Sequence, residues 1–327
     1  MGRLFTDGAE FGDVLFWTLP SSVSASNVRK RTGNYSYLAG GEAIKALPTL
    51  TEIFMRFSWE WVVGTYNSSG YFFAFYQGAT TVAQVRINTV TRQWEYYLGT
   101  TLTLTGTIPA TEDQLFVIDL HLKTDNSVGV FQMKIDGVMN IDYSGDTLPG
   151  ATTAIDAFGY RAPSATGLYI YMDDIAINDT TGVVDNSWCG DGRVGIQRVN
   201  GNGDNIDFVP SAGDNWENVD EIPIDGDTTY NQGLVSGEYD LYNLEPCGLS
   251  NVSILRGWIE ARARKTKASP ETVLLGLKTD GTEYWNDSHN LMLSHSNIRR
   301  DHTINPKTGS AWTIADLDAL QVGFKVE

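Results

Sequence analysis

Apolar and polar residues alternate along most of this chain with a period of two. Over residues 53–63 the apolar positions Ile53, Met55, Phe57, Trp59, Trp61 and Val63 are interleaved with Arg56, Ser58 and Glu60, the pattern of a strand with one buried face. Residues 71–76 are apolar and aromatic throughout, and 82–88 and 93–98, joined around 89–92, continue as an antiparallel meander. Phe116, Ile118, Leu120 and Leu122 alternate with Asp119, His121 and Lys123; after Asp125-Asn126-Ser127 the next run carries Phe131, Met133 and Ile135. Asp136-Gly137 then precedes another alternating run from Val138, which predicts a hairpin, because a type I′ turn needs positive φ at both central residues. A strand over 169–178 ends at Asp179-Thr180-Thr181-Gly182, which reads as the edge of a domain.

The pattern restarts after Trp188, with 193–199, and breaks at Asn200-Gly201-Asn202-Gly203-Asp204-Asn205, a loop by composition. The acidic, Gly- and Asn-rich stretch up to Tyr239 predicts long connections laid over a sandwich. Order returns where Leu255, Ile259, Ala261 and Ala263 face inward and Arg256, Glu260, Arg262 and Arg264 outward. Val273, Leu275 and Leu277 form a strand ending at the turn Asp280-Gly281. Thr313 and Asp316 have the spacing of a capping box and predict a short helix over 314–319. Leu320, Val322, Phe324 and Val326 alternate to the end. With no long helical stripe, crossover α/β folds are excluded, and the lack of a fixed-period repeat weighs against a propeller or β-helix. The expected fold class is all-β: two antiparallel β-sandwich (jelly-roll) domains, 1–184 and 185–327, with at most short helices.

Length and charge narrow the function. A chain of 327 residues accommodates two cores. Its 23 Lys+Arg against 40 Asp+Glu give a net charge of −17, which repels polyphosphate, so no nucleic-acid partner is expected. No stretch approaches the ~20 apolar residues of a membrane span, and Met1-Gly2-Arg3-Leu4-Phe5 lacks the core of a signal peptide, so folding in a cytosol is the expectation. The two cysteines, Cys189 and Cys247, are expected to be free, packed thiols; paired, they would staple the second domain.

With the strands placed, residues 1–180 resemble the concanavalin A-like, laminin G-like jelly roll found in structural proteins of tailed bacteriophages. The resemblance is carried by Gly2-Arg3-Leu4-Phe5, Lys134-Ile135-Asp136-Gly137 and the run from Tyr169 to Asp179 that includes Asp173-Asp174. The remainder is similar to the second domain of such proteins at Gly190-Asp191-Gly192-Arg193-Val194, Asn215-Trp216-Glu217-Asn218, Ala261-Arg262-Ala263-Arg264-Lys265 and Ala311-Trp312-Thr313. The resemblance implies a virion-surface protein made in a bacterial cytoplasm: a capsid decoration, head-fibre or tail-appendage subunit that packs as a homo-oligomer against other capsid or tail proteins. Fold alone does not choose among lectins, hydrolases and inert modules.

Asp173-Asp174 stands out because either strand parity puts one carboxylate among apolar neighbours; a bulge, or backbone N–H donors from an adjacent loop, would relieve it, and bound calcium, which such jelly rolls sometimes hold, is the alternative. Residues 200–207 offer oxygens to a hard cation but lack the EF-hand spacing. The Glu-x-Asp-x-x-Glu run of jelly-roll hydrolases is missing, and Glu217, Asp220 and Glu221 lie in an irregular stretch. None of His121, His289, His295 and His302 sits in a nucleophile motif. Trp216, Tyr284 and Trp285, in loop-like contexts, are candidate sugar platforms, whereas Trp59, Trp61 and Trp94 are assigned to the core. Trp258, outward beside Arg256 and with Arg262 on the same face, suits an interface, between chains or between domains. The expectation is a structural, non-enzymatic virion protein, with a glycan-binding module for host-surface attachment as the alternative.

Overall fold

A computed structural model describes residues 2–14, 16–62, 70–163, 168–268 and 271–327. The chain divides into two compact units, Met1–Gly195 and Ile196–Glu327.

The first unit opens with β1 (Arg3–Asp7), β2 (Leu19–Ser26), the long β3 (Ser36–Leu50) and β4 (Glu52–Val62); Val63 lies outside the described residues. It continues through β5 (Phe73–Gln77), β6 (Thr80–Ile87), β7 (Gln93–Leu98) and β8 (Thr101–Pro109). The last five strands are β9 (Phe116–Lys123), β10 (Gly129–Ile135), β11 (Val138–Gly145), β12 (Ile155–Arg161) and β13 (Tyr169–Asn178). Every pairing is antiparallel, in the order β11-β10-β9-β4-β13-β3-β12-β5-β6-β7-β8, with β1 on β13 and β2 on β3. β3 pairs with β13 through 37–39 and with β12 through 42–50, so it carries the sheet round a corner into two facing layers. Aromatic rings fill the space between them: Phe57 of β4 meets Phe73 and Phe158, Trp59 meets Trp94, and Tyr96 of β7 stacks on Phe131 of β10 at 4.0 Å. The Asn140 side chain of β11 accepts the amides of Thr107 and Ile108 at 2.8 and 2.7 Å and joins the far ends of the roll. Asp136 and Gly137 both have positive φ, as the β10–β11 turn requires.

The division between units falls after Gly195, beyond the expected boundary at 184/185. Cys189 and Trp188 pack on Phe54 and Ala176, and Val194 N donates to Asp174 Oδ1 at 2.7 Å, so this segment belongs to the first core. Both cysteines are free, one in each unit.

In the second unit β14 (Val199–Ile206) occupies the stretch expected to be a loop. It pairs with a later strand through a register broken twice, and Gly203 lies so close to Leu241 that no Cβ fits; its glycines and asparagines are those of a bulged edge strand, which turn composition imitates. After β15 (Val209–Pro210), a 3₁₀ turn (Asn215–Asn218) and β16 (Asn231–Gln232) come β17 (Tyr239–Leu244), β18 (Gly257–Ala263), β19 (Thr272–Thr279), β20 (Thr282–Asn290) and β21 (Ser296–His302). Helix α1 (Ile314–Asp318) and β22 (Gln321–Val326) close the chain. In α1 the Thr313 hydroxyl accepts the Asp316 amide and the Asp316 carboxylate accepts the Thr313 amide, completing the capping box. The five-stranded sheet β14-β17-β22-β19-β20 packs Val273, Leu275 and Phe324 against Ile259, Ala261 and Ile298 of the β18–β21 ribbon. The architecture is thus all-β, with helix confined to short turns.

One buried carboxylate orders the acidic stretch between β14 and β17. Asp240 accepts the amides of Asp207 and Phe208 at 2.8 and 2.9 Å, the Asn215 side-chain amide at 2.7 Å and the Tyr242 hydroxyl at 2.8 Å. Asp240→Ala strands these donors, and the expected cost is about 3–5 kcal/mol, read as a fall in the urea midpoint of the unit reported by Trp285 and Trp312 fluorescence.

Candidate functional site

The dry core fixes the parity of β5, β6, β7 and β12. With Phe73, Phe75, Val85, Ile87, Trp94, Tyr96, Phe158 and Tyr160 turned inward, the alternate positions turn to the opposite face. These are Ala74 and Tyr76, Gln84 and Arg86, Glu95 and Tyr97, and Ala157, Gly159 and Arg161. Register places Gly159, Ala74, Gln84 and Tyr97 in one row across four strands. A Cβ on Gly159 would come within 3.0 Å of the Tyr76 ring, so the tyrosine lies down on a floor of small residues.

Two clusters of like composition flank this floor. In the first, the hydroxyls of Tyr71 and Tyr76 both reach Glu42 Oε1, the latter at 3.0 Å, and hydrogen-bond to each other, while the Arg161 guanidinium lies 4.8 Å from the centre of the Tyr71 ring. In the second, the Tyr97 hydroxyl donates to Glu95 Oε2 at 3.0 Å, Asn88 donates to Glu95 Oε1 at 2.8 Å, and the Arg86 guanidinium sits 4.2 Å over the Tyr97 ring while its Nε donates to Gln84 at 3.3 Å. Burial, and then the neighbouring carboxylate, raise the Tyr71 and Tyr97 hydroxyls above their ordinary range; burial and the Tyr71 hydroxyl raise Tyr76 well above it. Neither arginine is in an ion pair among the described residues. The face therefore combines aromatic edges, oriented hydroxyls and two guanidiniums that meet ring faces and neutral hydrogen-bond partners rather than carboxylates among the described residues. The sequence did hint at it: Gln84 and Arg86 interrupt an otherwise apolar strand at one parity, as Glu95 and Tyr97 do in the next. Reading 71–76 as uniformly apolar hid Tyr71 and Tyr76.

Asp173 and Asp174 sit at a bulge. Asp173 pairs with Ser58 and Ala176 with Arg56, so β13 has one residue too many, and Asp174 takes φ +51°. Asp173 accepts the amides of Arg31, Thr32 and Asp174 at 2.8, 3.1 and 2.7 Å. Asp174 accepts the Thr32 hydroxyl at 2.6 Å, the Val194 amide and an Arg31 Nη at 3.2 Å. Beside them buried Glu10 accepts the amides of Asn34 and Tyr35 at 2.7 and 3.4 Å, over Gly33, where no side chain fits. These carboxylates clamp the 27–35 segment through N–H and O–H donors. Among the described residues no group of three or more His, Cys, Asp or Glu side chains is arranged to hold a metal ion.

The other sequence-selected residues lie apart from the tyrosine face. Trp216 is half-buried in the 3₁₀ turn, its amide donating to Asn202 Oδ1 at 3.1 Å. Tyr284 and Trp285, expected in a loop, stand on β20, because Asp280-Gly281 returns the chain directly along β19. Tyr284 packs toward Leu277 and Trp312; Trp285 lies across Gly276 and Gly323, edge-on to Tyr239 at 5.2 Å, with Lys325 5.8 Å from its ring. Trp258 carries Arg299 over its ring at 4.3 Å, Arg256 approaches Asp301 at 4.0 Å, and Arg262 is exposed.

Burial raises Glu10 and Asp173, each to about 7. A carboxyl with a raised folded-state pKa contributes stability that is complete below its unfolded value and is lost as pH rises through the folded one. Stability is expected to fall between about pH 4 and pH 7. Glu10→Gln should flatten that fall by about 1–3 kcal/mol, measured as urea midpoints of both proteins across the window.

No family model and no curated protein matches the chain. Solved structures do match part of it at low identity. An endo-β-1,4-glucuronan lyase from the fungus Trichoderma reesei is 14% identical with a TM-score of 0.42, covering 54% of this chain and 96% of its own. The cellulose-induced protein Cip1 is 15% identical with a TM-score of 0.43, over 57% of this chain and 100% of its own. A sialidase is 9% identical with a TM-score of 0.40, over 55% of this chain and 18% of its own. The expectation that the chain is not an enzyme is corrected by these matches, which include lyases and sialidases; lack of one hydrolase motif did not license it.

Proposed function

We propose that the chain binds carbohydrate, and that the tyrosine face of β12, β5, β6 and β7 makes the contact. The observation that carries this reading is the pairing of two Tyr–carboxylate–Arg clusters across the small-residue floor of Ala74, Ala157 and Gly159. Sugar rings present apolar C–H faces to aromatic side chains and hydroxyls to polar ones, and this face supplies both kinds of partner. The two guanidiniums, in no ion pair among the described residues, favour an acidic sugar, whose carboxylate a planar donor fork can grip. A setting on a virion surface, the finer reading that the motif resemblance implies, is compatible with this contact but rests on the motifs alone.

Affinity electrophoresis of the full chain in gels containing neutral or acidic polysaccharides tests the proposal. Retardation is expected to be strongest in an acidic gel, and Arg86→Ala with Arg161→Ala should weaken it by about tenfold or more. Circular dichroism of the variant separates loss of contact from loss of fold. Retardation untouched by the arginine pair but removed by Trp285→Ala would move the contact to the β20 face, and no retardation in any gel would sink the proposal. The same mixtures, assayed for shortened polysaccharide, report whether contact leads to turnover.

A further inference from the structure

Charge in the second unit is segregated along the chain. Residues 199–255 contain 11 Asp and Glu and not one Lys or Arg, whereas the following 12 residues, 256–267, contain five Lys and Arg against a single Glu. The fold turns this order into two adjoining patches. On β18 the inward positions are Ile259, Ala261 and Ala263, so Trp258, Glu260, Arg262 and, just past the strand, Arg264 line the outward face, with Arg299 and Asp301 opposite them on β21. The acidic connection reaches the end of this face: Asp227 takes Arg264 in two hydrogen bonds of 3.0 and 3.2 Å and meets His295 at 3.3 Å. Arg264 accordingly holds the Asp227 carboxyl below its ordinary range.

That contact uses only one end of each patch. Arg262 is exposed and in no ion pair among the described residues, and Leu255, Met292 and Leu293 beside the basic strand are 53%, 62% and 58% exposed. On the acidic side Asp214, Glu217 and Asp225 are exposed, and Val219 and Tyr230 are 42% and 47% exposed among them. Each patch thus has unmet charge with apolar surface at its margin, the composition of an interface. Two complementary patches that adjoin in one chain are self-complementary under a twofold rotation, because each meets its opposite on the other copy.

We infer that the outward face of β18 and β21 docks the acidic 214–227 connection of a second copy of this chain, reciprocally, with Arg262 as the principal cation and the exposed Met292 and Leu293 as its apolar margin. The net charge of −17 opposes association between copies in general, so a stable pair needs a local cation face turned to a local anion face. The inference is independent of the carbohydrate proposal, which concerns the other unit.

Sedimentation velocity of the full chain over a range of concentrations and salt tests it. A dimer at low salt that dissociates as salt rises is the expected result. Arg262→Glu should weaken it by about tenfold or more, as should Glu217→Lys with Asp225→Lys, and the combined charge swap should restore it. Urea midpoints confirm that the variants fold. A monomer at every concentration, or a dimer indifferent to salt and to Arg262→Glu, overturns the inference. So does a chain that stays monomeric while polygalacturonate binds it and Arg262→Glu abolishes that binding, which would make an anionic polysaccharide the occupant.

Discussion

The aromatic layer between the two halves of the first unit is the constraint on which the rest depends. Trp59, Trp94, Phe57, Phe73, Phe158, Tyr96 and Phe131 are almost wholly removed from water, and close packing leaves no room for a strand to slip by one residue. A one-residue slip would turn every side chain of that strand over. By fixing parity, the core assigns Gln84, Arg86, Glu95, Tyr97 and Tyr76 to one polar face. The face is therefore a by-product of dryness on the other side, carried mainly by the strands that bound the core.

Buried carboxylates organise what the sheets leave irregular. Asp240 collects the backbone and side-chain donors of the connection after β14, and Asp173, Asp174 and Glu10 collect those of 27–35 and Val194. A buried carboxylate is costly unless its oxygens are filled, and a loop with free amides is costly unless they are accepted. Each deficit offsets the other. This explains how segments rich in Gly, Asn and Asp hold one conformation, and why burial leaves Glu10 and Asp173 sensitive near neutral pH.

Much of the fold was legible beforehand because alternation is a local property. β4, β9, β10, β19 and β22, the turns Asp136-Gly137 and Asp280-Gly281 and the Thr313 capping box all follow from residues within a few positions of each other. β14 was not legible: a bulged edge strand and a loop share the same asparagines and glycines, and only pairing with β17 tells them apart. Trp285 looked like a loop residue for a similar reason, since the glycines that seat it, Gly276 and Gly323, come from two other strands.

By itself the sequence determined the class of the protein: alternation with period two dictates sheets, and the order of charges after residue 198 sets an acidic stretch before a basic one along the chain. Tertiary structure alone decided the site. Glu42 lies 29 and 34 positions from the tyrosines it binds, and Arg161 lies farther still from Tyr71. Their meeting depends on β3 turning the corner between layers and on β12 falling between β3 and β5. That strand order is chosen by the packing of the whole core, a sum over contacts distant in sequence, which no local pattern encodes.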